Sequence, residues 1–417
     1  MHRTASRRLP RDGVCGVLVL PQTYPPDVGG VETHLADLTA IMERRDDFRT
    51  WILCYKPIVT KVTGYLPREQ RGAVSIRRYW WFGGNLFRRL EPWPALLFLY
   101  ITPYFLLRAC GFMLANGRQI DVIHAHGFNM GFVAMVLAAL FRKRVVFQSH
   151  ALYSFREGAL FTRVAAFVLR RMDRILALCG ASREELMLLG IASDKITVYR
   201  YWIDLERFTD AGRDASRARL GWVSNHQPPI PNQQSAINNQ QSAGFMAFFV
   251  GRLIGIKGEG IVIGLAERFR TITFIVAGDG PNRPVVEAAA GRLGNLRYLG
   301  LIPNTELPDY YRSADVVLVP SQYPEGFGRV ICEALACGTP VIASHVGGIP
   351  DAMDETVGRL CPPTPEAFAS ALQQLRIMVP GSEAMRVRAR AFACERFGVR
   401  NAAALIEAYQ RSADWRC

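Results

Sequence analysis

The sequence has no CxxC pair and no Cys/His spacing of the zinc-binding kind, although nine cysteines occur, at 15, 54, 110, 179, 332, 337, 361, 394 and 417. An odd, scattered set reads as the reduced thiols of a cytosolic protein, not a disulfide framework. Charge is sparse, with 21% of residues charged against 50% apolar, which excludes a disordered chain over most of the length. Glycine (36) and proline (24) are near average use, so fibrous classes fall away too. A long basic arm is also missing. The 50 Lys and Arg against 36 Asp and Glu leave +14, dispersed in pairs such as Arg7-Arg8, Arg77-Arg78, Arg88-Arg89 and Arg170-Arg171. With no nucleic-acid-reading module in the pattern, the charge points to an anionic substrate or membrane surface and not to nucleic acid.

No secretory signal is legible, because the short apolar run Val14 to Leu20 leads straight into patterned sequence. The strongest membrane candidate is Ala95 to Leu114, which Pro103 and Arg108 interrupt. A spanning helix needs about 20 apolar residues, so the segment reads as a buried helix or as an interfacial contact. In the interfacial reading Trp80, Trp81 and Trp93 lie at headgroup level, with Arg77, Arg78, Arg88 and Arg89 on anionic lipid.

At 417 residues and about 150 per domain, the chain should form two or three domains. Short Val/Ile-rich runs recur between helical stretches, the pattern of parallel strands with crossover helices. They fall at Val14 to Leu20, Thr50 to Tyr55, Val122 to His124, Val145 to Gln148, Arg174 to Ala177 and Lys195 to Tyr199. The second half repeats the scheme at Phe245 to Val250, Thr271 to Ala277, Leu296 to Leu299, Asp315 to Val319 and Pro340 to Ala343. The fold class is therefore α/β, with two doubly wound domains. Between them, Ser224 to Ala243 carries no charge and is rich in Gln, Asn and Pro, as a linker insertion would be.

Three spots carry chemistry. Gly29 and Gly30 precede a helix, where bare N–H groups and the dipole favour phosphate, although the GxGxxG dinucleotide pattern is absent. Gly251 to Gly258 (GRLIGIKG) follows a strand and delivers Arg252 and Lys257 to the sheet edge where open α/β folds bind ligands. Pro320 to Gly338 (PSQYPEGFGRVICEALACG) places Glu325 in a loop and Glu333 in a helix, with the amides of Gly326, Phe327 and Gly328 between them. Two carboxylates at different depths of one cleft can each accept bonds from ligand hydroxyls, and the helix start can face a phosphate.

The stretch EGFGRVICEALACGTPV resembles the Glu-seven-residues-Glu motif of glycosyltransferase family 4, retaining enzymes of the GT-B fold. The resemblance extends through YPPDVGGVETHL, DVIHAHG, FQSHALYSF, GRLIGIKG, VAGDGP and HVGGIPD, so it covers both domains. The first three stretches are also similar to the GlcNAc-transferring catalytic subunit that starts glycosylphosphatidylinositol anchors. The resemblance implies two Rossmann-like domains facing a central cleft and a nucleoside diphosphate sugar as donor, without a metal cofactor. Arg252 and Lys257 would neutralise the donor diphosphate, which Gly29 and Gly30 would approach from the other domain. Glu333 would hold ribose hydroxyls, and Glu325 with the Phe327 and Gly328 amides the donor-sugar hydroxyls. His126, the second His of HAHG, would shape the reaction centre, and His150 would line the acceptor side. One departure stands out: the family stretch VIPNGVD appears as Val198 to Asp204, VYRYWID, with Tyr201-Trp202 in place of Asn-Gly.

The expected organisation is an acceptor-side domain over 10–205, a linker over 206–243, a nucleotide-sugar domain over 244–395 and a C-terminal helix over 396–417 returning to the first domain. The implied activity is transfer of a hexose or N-acetylhexosamine to a lipid-linked or polysaccharide acceptor, on the cytoplasmic side and peripheral to a membrane. A non-catalytic subunit of the same fold, or a glycosyl phosphorylase, would be the competing readings.

Overall fold

The computed structural model describes residues 13–59, 64–82, 86–90, 93–222, 244–378 and 382–412. The charge-free segment 224–243, Arg7-Arg8, Cys417 and the Arg88 side chain lie outside the described residues. The chain divides into two units, one formed by Met1–Trp202 with Val399–Cys417 and one by Ile203–Gly398.

The first unit is built on eight strands: β1 (Cys15–Leu20), β2 (Phe48–Tyr55), β3 (Arg68–Arg71), β4 (Val74–Tyr79), β5 (Val122–His126), β6 (Arg144–Gln148), β7 (Arg174–Ala177) and β8 (Ile196–Val198). They run in the order β3-β4-β2-β1-β5-β6-β7-β8, and every pair is parallel except β3 with β4. All six residues of β1 are buried, as a central strand covered on both faces requires. The polar REQR of β3 forms an exposed edge, which blunts unwanted pairing and leaves no apolar pattern to read.

The second unit holds β9 (Met246–Val250), β10 (Thr273–Ala277), β11 (Leu296–Tyr298), β12 (Val316–Val319), β13 (Val341–Ser344) and β14 (Gly358–Cys361). Their order is β11-β10-β9-β12-β13-β14, all parallel. Both sheets reverse their direction of growth once, between β1 and β5 and between β9 and β12. Ligands of doubly wound sheets sit beyond the carboxyl ends of the strands at such a reversal. The loops after these four strands are the ones that carry the motifs.

The chain leaves the first unit at Trp202 and re-enters it at Val399. The returning helix Ala402–Ser412 buries Tyr409, whose hydroxyl lies 2.7 Å from His124 Nδ1. Residues 206–222, part of the expected linker, instead fold onto the second unit. Arg217 pairs with Asp315 at 3.0 Å, Arg213 with the same carboxylate, and Ser216 Oγ donates to Asp309 at 2.8 Å.

The apolar segment near residue 100 forms a helix, Pro94–Asn116, of 23 residues. It runs through Pro103, which interrupts the apolar run but not the helix and lies on the exposed side. Ile101, Phe105 and Ala109 are buried in the core of the first unit, whereas Leu99, Leu107 and Leu114 face outward. Two expected membrane residues are corrected here. Trp81 stacks on Tyr104 with ring centroids 4.5 Å apart, inside the aromatic packing. Arg78 is buried and donates to Glu69, Leu66 O and Pro25 O, because its guanidinium ties the stretch leading into β3 to the loop after β1. Trp80 and Trp93 are exposed as expected.

Candidate functional site

In the second unit the loops after β9 and β12 are bound to each other. The Gln322 amide donates to Ile256 O at 2.8 Å. Gly258, at φ +86°, lies so close to Pro320 O that a Cβ there would sit 2.0 Å from it, so only glycine permits the approach. That contact sets Lys257 Nζ 2.9 Å from Glu325 Oε1 and 4.9 Å from the centre of the Tyr323 ring. Burial draws the Lys257 pKa down, but the Glu325 carboxylate and the Tyr323 hydroxyl outweigh it, and the net shift is upward. The ammonium therefore keeps its charge at neutral pH. Ser321 Oγ donates to the same carboxylate oxygen. Arg252, two residues past the end of β9, is exposed at the same sheet edge.

The Glu325 backbone is held from its other side by the HVGGIPD stretch. The Gly348 amide donates to Glu325 O at 2.7 Å, and a Cβ on Gly347, at φ +56°, would meet that oxygen at 2.5 Å. Past Glu325 the chain turns through Gly328, left-handed at φ +82°, into the helix Arg329–Ala336. The Phe327 ring is buried against Phe397, centroids 5.9 Å apart, which leaves only backbone from 326–328 to serve a ligand.

Glu333 lies one turn into that helix and is nearly fully buried. Arg329 Nε donates to its Oε1 at 2.8 Å and the Tyr311 hydroxyl to its Oε2 at 2.8 Å. A carboxylate has about four acceptor positions, so two bonds leave capacity for ligand hydroxyls. The two carboxylates thus differ in depth as the spacing predicts, but Glu333 comes with an internal cation that the motif did not reveal.

In the first unit the loop after β1 leads to the helix Gly30–Glu43, preceded by Gly29 in an extended conformation. Glu32 in its first turn accepts from Thr23 Oγ1, and a Cβ on Gly29 would sit 2.3 Å from a Glu32 oxygen. This helix start already has an acidic neighbour, while Gly30 is exposed with open space at its Cβ position.

His126 closes β5 on the other side of the reversal and stands in a cluster of four histidines. Its Nδ1 is 2.8 Å from His150 Nε2, and His150 Nδ1 is 2.8 Å from the Tyr201 hydroxyl. His124 lies beside it, ring centroids 4.0 Å apart. His34 Nε2 sits 2.9 Å from the Tyr199 hydroxyl and 3.1 Å from Gln148 Nε2. Burial pushes the pKa of both His124 and His150 down to about 3, and His126 well below its ordinary value with help from its neighbours. The rings are neutral at physiological pH. The motifs pointed to His126 and His150 but not to His34, although it stands within YPPDVGGVETHL, nor to Tyr199, and Tyr201 stood out only as a departure from the family stretch.

The family described as Glycosyltransferase Family 4 matches residues 28–207, and that described as Glycosyl transferases group 1 matches 244–376. A D-inositol 3-phosphate glycosyltransferase of Kineococcus radiotolerans is 31% identical over 339 residues, covering 71% of this chain and 72% of the relative. The chain belongs to the group 1, family 4 glycosyltransferases. Its fold is that of solved GT-B members of this class. Anabaena Alr3699/HepE in complex with UDP superposes with a TM-score of 0.71 at 20% identity, over 95% of this chain and 99% of that one. Sucrose-phosphate synthase from Thermosynechococcus elongatus gives 0.72 at 19% identity, over 95% and 98%. In this glycosyltransferase the family motifs coincide with the loops at the two sheet reversals.

Proposed function

We propose that this glycosyltransferase moves a hexose or N-acetylhexosamine from a nucleoside diphosphate sugar to a hydroxyl of a lipid-linked or glycan precursor, with retention at the anomeric carbon. The observation that carries the reading is the pairing of Lys257 with Glu325 at the reversal of the second sheet, beside Arg252 and ahead of the helix Arg329–Ala336. Solved relatives of this fold hold UDP, glucose and UDP-glucose, which supports a nucleotide-sugar donor. The curated relatives are named for D-inositol 3-phosphate, which supports an acceptor hydroxyl on a phosphate-bearing molecule.

In this reading the acceptor oxygen bonds to the anomeric carbon as the bond to the phosphate oxygen breaks, and that phosphate oxygen takes the hydroxyl proton. Charge grows on the leaving diphosphate, so fixed cations there lower the barrier most. Arg252 offers a planar fork and Lys257 a point charge, and together they take the part that a divalent ion plays in other transferases. Glu333 holds the ribose, Glu325 and the 326–328 backbone hold the sugar, and the Gly29-Gly30 amides serve the diphosphate. His126 faces the sugar and His150 the acceptor.

The outward face of Pro94–Asn116, with exposed Trp80, Phe82 and Trp93, would seat the enzyme on an anionic membrane surface on the cytoplasmic side. The test of the central reading is donor turnover across UDP-, GDP- and ADP-sugars in the wild type and in Lys257→Ala and Glu333→Ala. Loss of turnover in both variants supports it, and unchanged turnover in either one sinks the site assignment.

A further inference from the structure

Tyr201 and Trp202 stand where family members carry Asn-Gly, and the hydrogen bonds around them say what the tyrosine does. Three groups form a chain: the Tyr201 hydroxyl to His150 Nδ1 at 2.8 Å, then His150 Nε2 to His126 Nδ1 at 2.8 Å. The far end of the chain is His126 Nε2, which is buried and has no hydrogen-bond partner among the described residues. His126 is 1% exposed, and an unpaired buried ring nitrogen calls for an explanation, which a ligand atom would supply. The Tyr201 ring is fixed in turn by His34, with ring centroids 4.5 Å apart.

A neutral imidazole carries one N–H, on one nitrogen or the other, and its hydrogen bonds select which. Two neutral rings in series therefore share one choice. If the Tyr201 hydroxyl donates to His150 Nδ1, His150 must carry its proton on Nε2 and donate to His126 Nδ1. His126 then carries its own proton on Nε2. If the sense is reversed, His126 Nε2 becomes a bare acceptor. A phenol is a better donor than a neutral imidazole, and sp² ring nitrogen a better acceptor than a phenol oxygen, so the first setting is favoured. It is also the one that suits a sugar hydroxyl or phosphate oxygen, since a phosphate oxygen only accepts.

We propose that Tyr201 is a positioning residue which, through His150, fixes His126 in the tautomer that presents an Nε2–H donor to the transferred sugar or the leaving phosphate. The proposal rests on the reading of His126 as facing the reacting sugar. It assigns Tyr201 no contact with substrate and explains why a bulky residue occupies this place.

The tautomer can be read without substrate, by long-range proton–nitrogen NMR of the full chain with ¹⁵N-labelled histidine, His126 being assigned by its loss in His126→Asn. The expected result is an Nε2-protonated His126 in the wild type that shifts toward the Nδ1-protonated form in Tyr201→Phe. His150→Phe breaks the same chain from its middle and should shift it too, which guards against a packing effect of the tyrosine change. Trp202→Phe, outside the chain, should leave the tautomer as it is. In turnover, Tyr201→Phe should lower kcat about tenfold, the worth of one hydrogen bond made in the transition state, with donor KM little changed. An Nδ1-protonated His126 in the wild type, or a tautomer indifferent to both Tyr201→Phe and His150→Phe, overturns the proposal. A tautomer that shifts as expected while kcat stays level would instead count against the role of His126 and leave the chain itself established.

Discussion

Lys257 Nζ lies 2.9 Å from Glu325 Oε1, so the cation that would meet a diphosphate and the carboxylate that would meet a sugar hold each other in place. Their side chains are 19% and 11% exposed, shielded enough for the pair to matter to stability. Removing the lysine alone leaves a shielded carboxylate without its cation. Lys257→Met should therefore destabilise the protein by about 1–3 kcal/mol, and adding Glu325→Gln should recover much of that loss. Urea unfolding of the two single variants and the double variant measures the coupling. Additive losses would show that the pair is only adjacent.

Glu333 gives a second test, because its structural and ligand-binding roles separate. Arg329→Met removes the buried cation bonded to Oε1 and should cost about 2–4 kcal/mol of stability. Glu333→Gln keeps the shape and one acceptor oxygen but loses the charge that strengthens bonds to ribose hydroxyls. Nucleotide affinity should fall about tenfold or more, read as a smaller thermal shift at fixed UDP concentration. Equal shifts in wild type and Glu333→Gln would detach this residue from the nucleotide.

The histidine cluster predicts a pH dependence of definite sign. His124 and His150 titrate near 3 in the folded protein against about 6.5 in an unfolded chain, because burial disfavours the charged ring. Their neutral forms are shared by both states above about 6.5, so no stability is lost there. Between 6.5 and 3 the unfolded chain binds protons that the folded one refuses. Stability should fall with pH across that window, by up to about 1.4 kcal/mol per unit for each histidine. Urea midpoints at pH 7, 6 and 5, at constant ionic strength, check the slope, and a flat profile would mean that the rings accept protons in place.

The proposed use of Arg252 and Lys257 as the counter-charge to the diphosphate makes a chelator experiment informative. Turnover should be unchanged in excess EDTA and should not rise on adding Mg²⁺ or Mn²⁺. A rate that collapses with EDTA and returns with one of these ions would replace the two cations as the source of leaving-group stabilisation.

Strands β1, β9 and β12 were legible because a central parallel strand is apolar on both faces, and the loops after them carry motifs whose glycines are required by close backbone approach. Of the sheet-edge strands, β8 and β11 were legible from their short apolar runs, whereas β3 and β14 were not, nor was the inner β4. REQR of β3 and GRLC of β14 lack an apolar run, and Pro103 interrupts the apolar run of its segment although it sits on the exposed side of a helix that continues past it. The site divides in the same way. Arg329 and Glu333 are four apart on one helix, a spacing from which the pair could have been read although the motif did not name Arg329, whereas Tyr311 reaches Glu333 only through the tertiary fold. Tyr201 looked like a departure from the family because its partner His150 is 51 residues away in sequence.

Helix Pro94–Asn116 has one side in the core of the first unit and the other facing outward. Its 23 residues span about 35 Å, enough for a bilayer by length, yet Ile101, Phe105 and Ala109 are fully buried in the first unit and withdrawing them would dismantle its core. An interfacial contact needs only the outward residues. Leu99 and Leu107 are 65% and 71% exposed, so Leu99→Gln with Leu107→Gln should change stability by less than about 0.5 kcal/mol each. The same double variant should lose most of its sedimentation with vesicles containing anionic lipid, and wild-type binding should weaken as salt rises. Binding that survives the double substitution would move the contact elsewhere. Wild-type protein that fails to sediment even at low salt would remove the membrane from the account.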